Sequence, residues 1–236
     1  TVVDVVTLSV VEAPAASVAE VPPLEAKTAD ATAPGQASSI TLTNGGGTGS
    51  AYVNSANSSS ISVAVALPAG SLTTDVVTLS ATLGGTVTTT RAGSAGAGTV
   101  NFTGINVAGL GDGALTLSVI STDLAGNVSS VRSVTVTKDT VAPGAPTAAY
   151  TDNNNTIADV VSGPAEANAS VSVTKTAPAP TVGYPTTANG AGSYTATVAA
   201  ENGKPSTPIS VTYTVTATDA AGNTSSVTTL SLNDTH

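Results

Sequence analysis

A net charge of −9 is spread over 236 residues of which only 9% are charged and 3% aromatic, far below the roughly 25% charge of ordinary soluble domains. The acidic balance excludes nucleic acid and anionic lipid as partners, because both need a basic footprint; it fits a surface that collects divalent cations, and equally one that is acidic for solubility alone. With no Cys and no Met, disulfides, thiol catalysis and cysteine metal sites are also excluded, and the single His is the last residue, His236, a poor place for a catalytic base.

No run approaches the ~20 apolar residues of a membrane-spanning helix. The longest candidate, Thr1 to Val11, is too short and carries Asp4, so no membrane insertion is expected. Apolar residues sit instead in short Val/Ile/Leu/Ala runs interleaved with Thr and Ser, residues suited to a pleated, half-buried surface. The expectation is an all-β chain. Neither a start Met nor a basic n-region is visible, so the chain reads as a mature or excised segment.

Taken in chain order, residues 1–29 open with Val2 to Val11, a strand pattern in which Asp4 to Ser9 repeats Asp75 to Ser80 letter for letter. Pro14, Pro22 and Pro23 then stiffen an extended Ala/Glu/Pro stretch. Two readings stand: the last strand of a preceding domain followed by a linker, or a detached strand that completes a neighbour's sheet by β-augmentation. From 30 to 138 the expected strands are Ser38–Thr43, Ser60–Ala66, Val76–Leu83, Thr86–Arg91, Thr99–Ile105, Ala114–Thr122 and Val128–Lys138. From 139 to 236 they are Thr147–Tyr150, Asp159–Ser162, Ala169–Thr174, Gly192–Ala199, Ile209–Thr218 and Thr224–Asn233. Gly and Asn clusters mark the loops between them.

Residues 119–136 and 215–232 align at a constant offset of 96 with nine identities in eighteen positions, centred on Asp123-Leu-Ala-Gly-Asn127 and Asp219-Ala-Ala-Gly-Asn223. Upstream of each lies a linker, DATAPG at 30–35 and DTVAPG at 139–144. The repeat defines two units, 30–138 and 139–236, each the size of one immunoglobulin-like sandwich. The expected fold is a tandem of immunoglobulin-like β-sandwich domains.

The second unit resembles the bacterial immunoglobulin-like repeats of large surface adhesins, secreted biofilm proteins and S-layer-type proteins. The match runs through DTVAPGAP (139–146), VSGPAEANASVSVT (161–174), GSYTATV (192–198) and YTVTATDAAGNTSS (213–226). The first unit shares only the linker and the Asp123–Asn127 hairpin. The resemblance implies an extracellular, cell-surface location and domains stacked as stalks, with calcium at or near many junctions.

Read from the residues, each Asp-x-Ala-Gly-Asn segment is first a hairpin connection: Gly supplies positive φ and Asp accepts backbone N–H bonds. The same Asp and Asn oxygens are candidate calcium ligands, but calcium takes six to eight oxygens, so one Asp cannot hold it. Strand direction puts Asp123 and Asp139 at opposite ends of one domain. The expected junction site is therefore Asp139 with Asp219 and Asn223, joined by Glu166 or Asp152; the matching upper site is Asp123 and Asn127 with Asp30. Asp112, between Gly111 and Gly113, reads as a plain turn residue. Scattered aromatics and unclustered acids offer no catalytic constellation, and no enzyme activity is expected. Three roles remain open: an adhesin stalk, a self-assembling S-layer or strand-exchanged filament subunit, and an accessory module of a carbohydrate-active enzyme. The corresponding partners are neighbouring repeats or identical subunits, and surface glycans or host and biofilm matrix.

Overall fold

The computed structural model describes residues 30–153, 157–201 and 206–235. The chain divides between Asp30 and Ala31 into two units, and the second, residues 31–236, holds every strand described. The expected strand Val2 to Val11 and the rest of 1–29 lie outside the described residues.

Fifteen strands and one short 3-10 turn (Thr48–Ser50) make up the described secondary structure. In the first sandwich, β1 (Ser39–Leu42), β3 (Ile61–Ala66) and β6 (Thr99–Ile105) form one sheet. The other runs in the order β2 (Tyr52–Val53), β8 (Arg132–Lys138), β7 (Gly113–Thr122), β4 (Val76–Thr82), β5 (Thr86–Ala92). All pairings are antiparallel except β2 with β8, where Val53 meets Lys138. In the second sandwich the sheets are β13 (Ser193–Val198), β10 (Asp159–Pro164), β9 (Ala149–Thr151), and β12 (Val182–Thr187), β11 (Ser170–Ala177), β14 (Ile209–Thr218), β15 (Thr228–Asp234). Each pair of sheets closes on its own core. Val63, Val65, Leu79, Phe102, Leu115 and Leu117 anchor the first, and Val161, Val171, Val173, Tyr194, Val211, Tyr213 and Val215 the second.

The period-2 pattern dictates this arrangement. In β7 the inward Leu115, Leu117 and Val119 are buried while Thr116 and Ser118 face out; burying each such aliphatic contributes roughly 1.5–3 kcal/mol. The outward residues line up across strands by register. Thr135, Thr116, Thr82 and Thr86 form one row, and Ser133, Ser118, Ser80 and Thr88 the next. Hydroxyls bridge within these rows, Ser118 to Ser133 at 2.9 Å and Ser80 to Thr88 at 3.2 Å. Thr and Ser thus do for these faces what charges do on most soluble domains, which accounts for the low charge content.

Two expected strands start later than the pattern suggests. Val128 and Thr224 form only isolated bridges, with Thr122 and Thr218, and the last strands begin at Arg132 and Thr228. The cause is a repeated serine: Ser129 Oγ accepts the Ser121 N–H and Ser225 Oγ the Ala217 N–H, both at 2.9 Å. A side-chain oxygen takes the ladder's donor, and the ladder resumes three residues on.

Candidate metal centre and the joint between sandwiches

The two Asp-x-Ala-Gly-Asn hairpins have the same internal bonding. In the second, Asp219 Oδ1 accepts the Asn223 N–H and Oδ2 accepts Asn223 Nδ2, both at 2.9 Å. Gly222 holds φ +87, the left-handed conformation that favours glycine. This is the turn chemistry that the sequence implies.

The structure adds what lies against this hairpin. The loop between β1 and β3 of the first sandwich wraps it with hydrogen bonds. Thr48 N–H donates to Ala220 O at 2.9 Å, Asn54 Nδ2 to Ala221 O at 2.8 Å, and Ser55 N–H to Asn223 Oδ1 at 2.9 Å. Asn223 Nδ2 also donates to the main-chain oxygen of Asp139 at 2.9 Å. Ala221 and Asn223 are each 1% exposed. Gly47 is required at the contact: a Cβ there would lie 2.3 Å from Ala220 O. The Ser55 N–H fixes the orientation of the Asn223 amide, so its NH2 group faces both Asp219 and the Asp139 carbonyl.

The Asn223 amide thus lies between the Asp139 main-chain oxygen and the Asp219 carboxylate, donating to both. Asp139 Oδ1 accepts the Val141 N–H at 3.1 Å, and its own N–H is tied to Val53 O at 2.8 Å. Glu166 sits in a turn closed by Ala169 N–H to Glu166 O at 3.1 Å. Asp123 and Asn127 form the matching hairpin of the first sandwich, with both bonds at 2.9 Å. The Asn127 amide, ahead of the neighbouring backbone N–H groups, holds the Asp123 carboxyl below the usual carboxylate range.

Asp112 is more than a turn residue. It accepts Lys138 Nζ at 2.8 Å, the Thr140 N–H at 3.0 Å and the Thr140 hydroxyl at 2.9 Å. Burial alone would raise its pKa, but the bonds from Lys138 and Thr140 outweigh that and hold it low. It ties the end of β8 to the start of the linker.

A cation-sized acid cluster lies at the end of the second sandwich where β15 finishes. Asp152, Asp159 and Asp234 each place a carboxylate oxygen within 4.8 Å of the others. Asp159 and Asp234 are each 1% exposed. Tyr150 OH donates to Asp159 Oδ2 at 2.6 Å and lies 3.4 Å from Asp234 Oδ2, and the Asn153 N–H donates to Asp159 Oδ1 at 2.8 Å. Burial first, then the Asp159 bond, push the Tyr150 pKa far up, so it remains a donor. Tyr213 stacks on Tyr150 with ring centroids 6.0 Å apart, and its buried hydroxyl has no hydrogen-bond partner among the described residues.

The all-oxygen donor set favours a hard divalent cation over zinc or copper, whose preferred sites include nitrogen or sulfur. Three converging carboxylates, two of them buried, repel one another strongly unless a cation lies between them. This cluster can hold a metal ion. Only Asp152 of the three was legible as a candidate ligand. The repeat itself offered the missing signal: at the offset of 96, Asp234 stands in the place of Lys138 and Pro208 in that of Asp112. Asp159 opens β10 where β3 opens with the buried Ile61. An apolar residue and an ammonium ion in one sandwich are replaced by two carboxylates in the other.

The fold is therefore a tandem of immunoglobulin-like β-sandwiches joined by a hydrogen-bonded contact. No protein-family model matches the sequence, and no curated protein matches it. Structural neighbours include adhesin repeat domains. One is a tetra-tandem repeat from the extending region of a large adhesion protein, with 22% identity, 87% of this chain and 50% of that one covered, and a TM-score of 0.37. Another is a 1.5-MDa bacterial ice-binding adhesin, with 18% identity, 87% and 66% covered, and a TM-score of 0.45. The FN1–FN3 domains of chicken CNTN1 align at 10% identity over 87% and 69%, with a TM-score of 0.46. The chain spans half the length of the first of these chains and 66% of the second.

Proposed function

We propose that this chain is a structural, adhesive repeat segment of a bacterial cell-surface protein, acting outside the cell as a spacer between neighbouring repeats rather than as an enzyme. One observation carries the reading: the joint, where Asn223 of one sandwich is buried between the Ser55 N–H of the other and the Asp139 carbonyl of the linker. Sandwiches joined by a loose tether have no reason to bury an amide between them, and leaving such groups unpaired costs about 1–3 kcal/mol each. Calcium is the cation that suits the Asp152, Asp159 and Asp234 oxygens. It would order the end of the second sandwich, where the chain leaves β15, and so extend the stiffness of the segment.

Because the chain has no Cys, Thr90→Cys and Thr197→Cys introduce the only thiols, both on exposed strand positions. Spin labels placed there should report one narrow distance distribution. It should stay narrow when calcium is chelated, because amide hydrogen bonds hold this joint. A broad distribution with and without calcium would overturn the spacer reading.

A further inference from the structure

The Asp123–Asn127 hairpin of the first sandwich repeats, bond for bond, the hairpin that builds the joint. Asp123 N–H donates to Asn127 O and Gly126 N–H to Asp123 O, both at 3.1 Å; Asp219 N–H donates to Asn223 O at 3.1 Å and Gly222 N–H to Asp219 O at 3.2 Å. The two differ in cover. Ala221 and Asn223 are each 1% exposed, whereas Ala125 is exposed and Asn127 only half-buried. That difference outlines what docking covers.

The hairpin offers its socket two main-chain carbonyls, at Ala220 and Ala221, and one side-chain amide, at Asn223. Leu124, Ala125 and Asn127 carry the same three groups in the same backbone conformation, with Gly126 at φ +91 beside Gly222 at φ +87. We propose that the Asp123–Asn127 hairpin is a docking plug for the socket end of another sandwich of the first sandwich's kind.

The occupied socket defines the chemistry of the partner. It needs glycine at the place of Gly47, because a Cβ would strike the plug's carbonyl. It also needs an Asn amide followed by a free-standing N–H, as in Asn54 and Ser55, and a linker carbonyl like that of Asp139. Among the described residues, the far end of the second sandwich carries the acid cluster instead. Leu124, 82% exposed, stands where the plug in the joint has Ala220 and adds an apolar contact at the rim. The inference rests on reading the chain as sandwiches docked in series.

The test is the full chain with residues 30–138 duplicated in tandem, so that Asp30 of the second copy follows Lys138 of the first. Each copy keeps the self-contained core described above. Labels at Thr90→Cys in both copies report the new joint, and labels at Thr90→Cys of the second copy and Thr197→Cys report the existing one. The new distance should be as narrow as the existing one, and Asn127→Ala in the second copy should widen it at least twofold, because in the existing joint the later sandwich supplies the plug and the earlier one the socket; the existing distance should stay narrow. A broad new distance beside a narrow existing one would overturn the plug, as would a narrow one indifferent to Asn127→Ala in the second copy. A broad existing distance would instead count against the spacer reading, and its narrowness shows that the duplicated chain is folded.

Discussion

A single amide, Asn223, links sequence to joint, and only part of its role was readable beforehand. The spacing Asp-x-Ala-Gly-Asn announces a turn, because each residue type has a local job there. That the Asn also accepts from Ser55, 168 residues earlier, is a tertiary fact that no local pattern carries. Asp159 and Asp234 escaped for a different reason: one opens a strand and the other closes one, so their spacing mimics ordinary strand boundaries. The two buried tyrosines of the second core make a residue-scale prediction. Tyr194 OH donates to Thr147 O at 2.8 Å, and burial raises its pKa; Tyr213 OH is buried with no partner among the described residues. Tyr194→Phe should destabilise by about 1 kcal/mol, and Tyr213→Phe should be neutral or slightly stabilising, because an unmade buried bond is a cost that the substitution removes. Urea unfolding of both variants checks this, and equal losses would contradict it.

Among elements, the strands with strict alternation were legible in type and nearly in extent: Thr99–Ile105 and Ile209–Thr218 are found with the expected bounds. Those that escaped break the rules from which strands are read. β2 has two residues and pairs parallel with β8, and β12 holds Pro185 and lies at the edge of its sheet, where a missing N–H is tolerated. The end of β8 shows how one ion pair closes an element. Lys138 is 2% exposed and its ammonium depends on Asp112. Because the Asp112 pKa is depressed on folding, the pair's contribution is present above the unfolded value of about 4 and is lost as pH falls through the lower folded one. Asp112→Asn should therefore cost about 1–3 kcal/mol at neutral pH, from stranding a buried ammonium. The gap between variant and wild type should narrow as pH falls below about 4. Denaturant titrations at pH 7 and pH 3 check both halves, and a gap undiminished at pH 3 would assign the loss to something other than charge.

At the scale of the whole molecule, the two sandwiches finish their last strands with opposite chemistry. The first ends on Lys138 paired to Asp112 and receives the next sandwich through amide bonds. The second ends on Asp234 beside Asp152 and Asp159. A cluster that binds a cation and one held by hydrogen bonds alone look alike in outline, yet they respond oppositely to removal of one carboxylate. Without cation, Asp234→Asn takes away a like charge from two others and should leave the protein as stable as wild type or more so. With calcium at about a hundred times its dissociation constant, the wild type gains about 2.7 kcal/mol. For a domain of this size that moves the melting temperature up by roughly 10–20 °C, and the variant, short of a ligand, should gain little. The order of the two melting curves should therefore invert between chelator and calcium. Scanning calorimetry of both proteins in each condition decides it. If calcium leaves the wild-type transition unmoved and Asp234→Asn is destabilising throughout, the carboxylates are held by Tyr150 and the other hydrogen bonds around them, and the calcium reading fails while the amide-bonded joint stands.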